Sequence, residues 1–355
     1  MIARALLSLL PTSHQERLVT AARLIRYRAI RATLDYSPTE LEAALRRFGI
    51  CEGDAVLIQS AFRPLNGFTG DAKHIIDCIL GIIGDEGHLF MVSMPYGGSA
   101  RDYLASGRPF DVRRTPSMMG VLSESFRRRA GVVRSANPLH PVLAWGPRAE
   151  WIVAGHENLP HSCGPDSPYA RMLSLNTKAL LFDVGLEVLT FTHYLEHAFQ
   201  DSAPVPVYTR EPVRTEIIDR GGNRQTVAVY PFTSEAMQRR NFGILYDRLI
   251  AGGHVQRERL GNTVMQLVAL ESVVTVGTSL VHEGNHIYGA LGQPVRVAPR
   301  KRTVWQRIAT SANYEKVMRR LARLGWRIAR SVLTPITSPV RARRLSAPVR
   351  SEPTM

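Results

Sequence analysis

The sequence predicts a mixed α/β fold for residues 37–295. Three observations carry that expectation. Short apolar runs of strand length alternate with amphipathic stretches of helical spacing. The composition, with 45% hydrophobic and 21% charged residues in 355, is that of a globular chain. The charge is distributed unevenly, which separates a central block from two basic ends. Of the net +15, residues 296–355 carry +13 and residues 1–36 carry +4, so residues 37–295 net about −2. The chain therefore reads as a basic N-terminal helical extension (1–36), one mixed α/β domain (37–295), and a basic C-terminal extension (296–355).

The elements follow in order. Ser37-Pro38-Thr39-Glu40 predicts a helix start, with Ser37 as cap, Pro38 in the first turn and Glu40 closing a capping box. Leu41, Leu45 and Phe48 recur at helical spacing, and Gly49 ends the run. Ala55–Ile58 reads as a strand, Ile75–Ile83 as a helix stopped at Gly84, and Leu89–Val92 as a second strand. Ser117–Arg129 reads as a helix behind Pro116, and Ser167-Pro168 opens another. Ala179–Val184 is apolar but for Asp183, as in a strand buried on both faces. Thr190 or Thr192 is placed to cap a helix carrying His193 and Glu196. Arg214–Ile218 and Thr226–Tyr230 flank Gly221-Gly222-Asn223, a hairpin signal. Helical spacing returns over Ala236–Leu249. No internal repeat is visible.

The C-terminal extension differs in kind. Lys316–Leu333 places Val317, Leu321, Leu324, Ile328 and Val332 on one face, with arginines over much of the rest. Such a helix suits an anionic membrane surface, its own core, or a homodimer contact. Beyond it, prolines among arginines and serines predict a disordered end. No stretch has the length of a membrane span. Met1–Leu10 is apolar but lacks a small-residue cleavage site, so a cytoplasmic protein is expected. Cys51, Cys78 and Cys163 form no C-x-x-C pair and read as core filler in a reducing compartment.

The chemistry concentrates in "TFTHYLEHAF". His193-Tyr194-Leu195-Glu196-His197 reads H-x-x-E-H, a zinc-hydrolase pattern. His193 and His197 lie four apart, as two zinc ligands on a helix would, and Glu283 or His286 offers a further ligand. A second reading needs only His193 and Glu196. At i, i+3 they share a helix face, and the carboxylate can fix the imidazole as a general base. A buried histidine satisfied by a carboxylate has the same spacing and no function. From the spacing alone these three stay open.

The order of blocks around this segment resembles the aminoglycoside 3-N-acetyltransferase family. "DAVLIQSAFRPLNGFTGDAKHIIDCILGIIGDEGHLFMVSMPY" is similar to the family's first strand, glycine loop, helix and second strand. "FDVRRTPSMMGVLSESFRRRAGVVRS" resembles the next block, and "AWGPRAEWIVAGH" and "GPDSPYARML" follow in turn. "TFTHYLEH" is similar to the family's T-x-x-H-x-x-E segment. The resemblance covers roughly residues 37–275. It implies that family's mixed α/β fold and transfer of an acetyl group from acetyl-CoA, as co-substrate, to a substrate amine. His193 would be the base, Glu196 its partner and His197 a bystander, with no metal required.

With that resemblance, further residues acquire expected roles. Thr190, or backbone N–H groups, would stabilise charge on the thioester oxygen. Ser60 would approach the coenzyme, as would the helix start at Ser117–Gly120 with its free N–H groups. Arg134 and Ser135 would supply a charged donor and a hydroxyl. Asp111 and Asp166, with Asp183 and Glu187, are candidates for an acidic substrate pocket. Some positions depart from the family's pattern. Gln59 replaces a usual histidine and Ala61 a usual serine. Asn137 and Pro141 replace the histidine and serine of His-Pro-x-x-Ser, with His140 one position away from the lost serine. An aminoglycoside and a biosynthetic amino sugar are both expected acceptors. The near-neutral block and its basic ends do not steer a polycation. Specific nucleic-acid binding is not expected, since no base-reading motif accompanies the basic tail.

Overall fold

The computed structural model describes residues 21, 25, 27–62 and 66–289. The basic segment 316–333 and the tail beyond it lie outside the described residues, as does most of the N-terminal extension. Residues 27–33 are helical, and Ile30 and Tyr36 are buried in the same body as the residues that follow.

The expected helix start at Ser37 is present as drawn. Helix α1 (Pro38–Arg47) has Ser37 as N-cap and a complete capping box with Glu40. It buries Leu41, Ala44 and Leu45. Strand β1 (Ala55–Ser60) follows, then α2 (Ala72–Ile83) and β2 (His88–Val92). Helix α2 begins three residues before the expected Ile75, because Asp71 caps it and His74 closes a box back onto Asp71. It ends where Gly84 takes φ 65°, a conformation that favours glycine. After α3 (Ala100–Ala105) and β3 (Phe110–Asp111) comes α4 (Val121–Arg127). This is a correction: the helix expected from Ser117 starts only at Val121, after Gly120 at φ 106°.

Strands β4 (Val133–Arg134) and β5 (Val142–Trp145) precede helices α5 (Ala149–Val153) and α6 (Pro168–Leu173). Ser167 caps α6 as expected. Strand β6 (Lys178–Phe182) leads to α7 (Thr192–Ala198), the helix of His193 and Glu196. Neither threonine caps α7; its N-cap is Phe191. The Thr192 hydroxyl donates to the Leu189 carbonyl, and the Thr190 hydroxyl accepts from Gln59. The expected hairpin is β7 (Val213–Ile218) and β8 (Arg224–Val229). The helical run over Ala236–Leu249 is two helices, α8 (Ser234–Arg239) and α9 (Gly243–Ala251). An antiparallel pair absent from the sequence reading, β9 (Val255–Leu260) and β10 (Thr263–Ala269), and helix α10 (Leu270–His282) complete the described order.

The strands form a seven-stranded sheet in the order β4-β5-β2-β1-β6-β10-β9. Its centre, β2-β1-β6, is parallel, and the flanking pairs are antiparallel. A separate three-stranded sheet has the order β3-β7-β8. The residues of β6 from Ala179 to Phe182 are fully buried, as a strand covered on both faces requires. Each buried large apolar side chain contributes roughly 1.5–3 kcal/mol. Helix α10 approaches α7 closely at Gly277, where a Cβ would lie 2.7 Å from Leu195 Cδ1. That lack of a side chain sets how near the His193 helix can sit to its neighbour. The cysteines are all free; Cys78 and Cys163 are buried and Cys51, against expectation, is exposed. Among the described residues no helix is long and apolar enough to cross a membrane.

Candidate active site

Glu196 organises the site. Its side chain is completely buried. One oxygen, Oε2, lies 2.5 Å from His193 Nδ1. The other, Oε1, accepts from Arg240 Nε at 2.6 Å and from the Tyr288 hydroxyl. A buried charge without partners would cost several kcal/mol, and here every partner is a donor. Burial pushes Glu196 up, but His193, Arg240 and Tyr288 together hold it below the usual carboxylate range.

This arrangement decides the imidazole tautomer. A carboxylate oxygen only accepts, so Nδ1 of His193 carries the hydrogen. In the neutral ring the lone pair is then on Nε2, and the His193 ring lines a cavity of about 560 Å³. The imidazole is thus held in one orientation at the cavity wall by a buried carboxylate. The same cavity is lined by His140, Ser162, Tyr208, Phe232 and Arg240. Arg240 also lies over the Phe232 ring, 4.6 Å from its centroid, and His193 is 5.1 Å from that ring.

The turn at Asn137–Pro141 serves the site by packing. Asn137 Oδ1 accepts from the backbone N–H groups of Leu139 and His140. That places the His140 ring 5.0 Å from the His193 ring, with Nδ1 2.6 Å from Ser162 Oγ. Burial, then the neighbouring charges of His193 and Arg240, press the His140 pKa well below the usual imidazole range. It is a neutral wall to the cavity rather than a charge in it.

A second cavity, of about 250 Å³, opens at the ends of β1 and β2. Met91, Val92 and Val188 give it an apolar lining, and Gln59, Ser60 and Thr190 supply polar groups. Met94 and Met119 line both cavities, so the two adjoin. Gln59 braces this region. Its Nε2 donates to the Val188 carbonyl at 2.6 Å and to Thr190 Oγ1 at 2.9 Å, and its Oε1 accepts from Thr190 N. The Thr190 hydroxyl hydrogen reaches the Val188 carbonyl only at 3.4 Å, a weak bond that leaves it free to turn.

The remaining expected residues divide sharply. Ser117 and Gly120 sit beside the second cavity but do not line it. Ser117 N is taken by Glu124 Oε2 at 2.8 Å and Met118 N by the Met94 carbonyl. The N–H groups of Ser117 and Met118 are thus occupied, and α4 is too short to offer a strong dipole end. Arg134 and Ser135, expected at the coenzyme, are buried structural groups. Arg134 donates to the carbonyls of Thr115 and Ser93 and lies over Phe110. Burial, with Arg127 beside it, brings its pKa down to about 9. Ser135 Oγ accepts from Val142 N and bonds His156 Nδ1. Neither residue lines the two cavities.

The expected acidic pocket is not formed. Asp111 Oδ1 accepts from the N–H groups of Arg113 and Arg114, and Asp166 and Glu187 are exposed. Asp183 Oδ1 accepts from Val264 N. None of the four lines either cavity. His197 turns to His161 and Tyr208, with ring centroids 5.1 and 5.8 Å away. Glu283 pairs with Arg248, and His286 bonds the Phe199 carbonyl. Among the described residues no group of three or more His, Cys, Asp or Glu is gathered as metal ligands are. Sequence reasoning missed Arg240 and Tyr288, which lie 44 and 92 residues from Glu196. No local pattern marks either one.

The profile of the family described as aminoglycoside 3-N-acetyltransferase matches residues 57–282. An aminoglycoside N(3)-acetyltransferase IV from a Salmonella species is 33% identical over 165 residues, 46% of this chain and 59% of that protein. An aminoglycoside N(3)-acetyltransferase VII from Streptomyces paromomycinus is 30% identical over 172 residues, 44% of this chain and 59% of that protein. The chain thus spans about three-fifths of the length of these relatives. Among solved structures, aminoglycoside acetyltransferase AAC(3)-IVa in complex with gentamicin is 26% identical, with a TM-score of 0.57 over 70% of this chain and 90% of that one. A structure of AAC-IIIb with coenzyme A shares the fold, with a TM-score of 0.59 over 73% of this chain and 99% of that one, at 21% identity.

Proposed function

The chain belongs to the aminoglycoside 3-N-acetyltransferase family, and we propose that it acetylates an amine of an amino sugar or aminoglycoside from acetyl-coenzyme A. The observation that carries this reading is the His193–Glu196 pair, with the His193 imidazole lining the larger cavity and the second cavity adjoining it. The residues present fit the co-substrate. The second cavity is narrow and lined by methionines and valines, which suits an uncharged thioester arm, and its polar groups sit at Gln59, Ser60 and Thr190.

Acetyl-coenzyme A supplies an activated acyl carbon and a thiol leaving group. This chain's residues would do the rest. An amine is protonated at neutral pH and must lose a proton to attack. Once that proton has gone to solvent the neutral amine attacks; His193 Nε2 takes a second proton from nitrogen as the N–C bond forms, and passes it to the sulfur as the C–S bond breaks. Glu196 holds the ring in register and offsets the imidazolium charge that develops. Arg240 and Tyr288 hold Glu196. The Thr190 hydroxyl is a candidate donor to the acyl oxygen. Ser60 lines the cavity assigned to the thioester arm.

A thiol-release assay tests the reading, with acetyl-coenzyme A and a panel of amino sugars and aminoglycosides. Release that depends on the acceptor is expected. Binding of the coenzyme without release for any acceptor would overturn it. Peripheral contact with an anionic membrane is proposed on the sequence of residues 316–333 alone. Anionic vesicles should co-sediment the full chain and not a chain lacking residues 300–355; equal sedimentation would remove that contact.

A further inference from the structure

Among the described residues, the cavity lined by His193 has no carboxylate in its wall. Among the described residues that line it there is neither Asp nor Glu, while Arg101 and Arg240 both face it. The rest of the wall is largely aromatic or uncharged, including Tyr96, Tyr208, Tyr230 and Phe232. We propose that the acceptor is an amine carrying an anionic group, such as an amino sugar phosphate or carboxylate, and not a polycationic aminoglycoside.

The charges decide the direction. Glu196 lies behind His193 and is committed to His193, Arg240 and Tyr288. It therefore offsets Arg240 and has no free oxygen for a ligand. Arg101, at the first turn of α3, is exposed and pairs with no carboxylate among the described residues. His140 is neutral, because burial lowers its pKa. The net charge presented to a ligand is positive. A polycation entering such a cavity gives up hydration and finds no counter-charge, whereas an anionic group finds a guanidinium suited to phosphate or carboxylate. The reacting amine needs no carboxylate, since it must be neutral to attack. The aromatic walls can cover the apolar faces of a sugar ring.

This inference rests on the acetyl-transfer reading for the identity of the cavity, and the two can fail separately. Calorimetric titration of the full chain, in the presence of coenzyme A, compares glucosamine 6-phosphate, muramic acid, glucosamine and gentamicin without requiring turnover. The two anionic sugars should bind at least about tenfold more tightly than gentamicin. Arg101→Gln should erase about tenfold of that advantage and leave binding of glucosamine unchanged, with Tm retained because Arg101 is exposed. The comparison of phosphate with carboxylate identifies the anionic group. Gentamicin binding as tightly as the anionic sugars, or an advantage untouched in Arg101→Gln, would overturn the proposal. Thiol release with gentamicin alone would also overturn it while leaving acetyl transfer standing. Anion-selective binding without thiol release would overturn acetyl transfer and leave the cavity's selectivity standing.

Discussion

At the scale of single residues, Glu196 is held by three donors, and each can be removed in turn. Tyr288→Phe leaves Oε1 with Arg240 alone. A buried group losing one bond costs about 1–3 kcal/mol, so Tyr288→Phe should lower the urea midpoint accordingly while His193 keeps its carboxylate. Glu196→Gln acts differently. The amide oxygen can still accept from the ring while its NH2 faces the Arg240 donor, and it cannot offset the ring's positive charge, so the rate plateau should fall and the acid limb of the rate profile should move to lower pH. A merely structural Glu196 would change stability and leave that limb in place. His193 and Glu196 were legible in the sequence because both sit within one turn of α7. Arg240 and Tyr288 were not, because only the tertiary fold brings them to Oε1. The internal bonds of Arg134 and Ser135 were not legible for a related reason. Sequence shows a donor but not which carbonyl already receives its hydrogen bond.

At the scale of elements, Gln59 ties the end of β1 to the chain entering α7 through three bonds. Gln59→Leu removes all three, strands the Thr190 N–H and leaves the Val188 carbonyl only the weak Thr190 hydroxyl bond. A loss of about 1–3 kcal/mol is expected in urea unfolding, with a higher KM for acetyl-coenzyme A, since Thr190 and Val188 line the cavity proposed for it. An unchanged KM would detach that cavity from the coenzyme. The helix starts at Ser37 and Ser167 were readable because a cap and its first turn are local in sequence. The start of α4 was misplaced because Pro116 and Ser117 imitate a helix opening. Ser117 N instead finds the Glu124 side chain, and the backbone turns once more at Gly120. Strand β9 escaped notice because Arg257 and Arg259 are charged and exposed and break its apolar pattern, and without it β10 had no partner to suggest a hairpin.

At the scale of the whole molecule, buried imidazoles make stability depend on pH. Burial brings the His156 pKa down to about 3 and lowers His140 as well. His156 is neutral, donating from Nε2 to the Ser162 carbonyl and accepting at Nδ1 from Ser135. In the unfolded chain a histidine binds a proton near pH 6.5. Between that pH and about 3 the unfolded state holds protons that the folded state refuses, so stability falls as pH drops. The loss is on the order of 1.4 kcal/mol per pH unit for each such histidine. Glu196, held below the usual carboxylate range, adds a further loss at lower pH as it is protonated. Melting curves at pH 7.5 and 5.5 should therefore show a lower Tm at 5.5. A Tm equal at both would contradict the burial of these rings. The overall charge was legible in the sequence, but the sign of the cavity was not. A block with a net charge near −2 still presents arginines to its ligand.

The central claim is that His193 is the base for acyl transfer. It is tested most directly by the rate of thiol release from acetyl-coenzyme A with a saturating amine, comparing the native chain with His193→Ala at matched fold content. A fall in kcat of roughly 10²- to 10⁴-fold, with the Kd for coenzyme A unchanged, is the predicted result. A kcat within twofold of the native chain would contradict it.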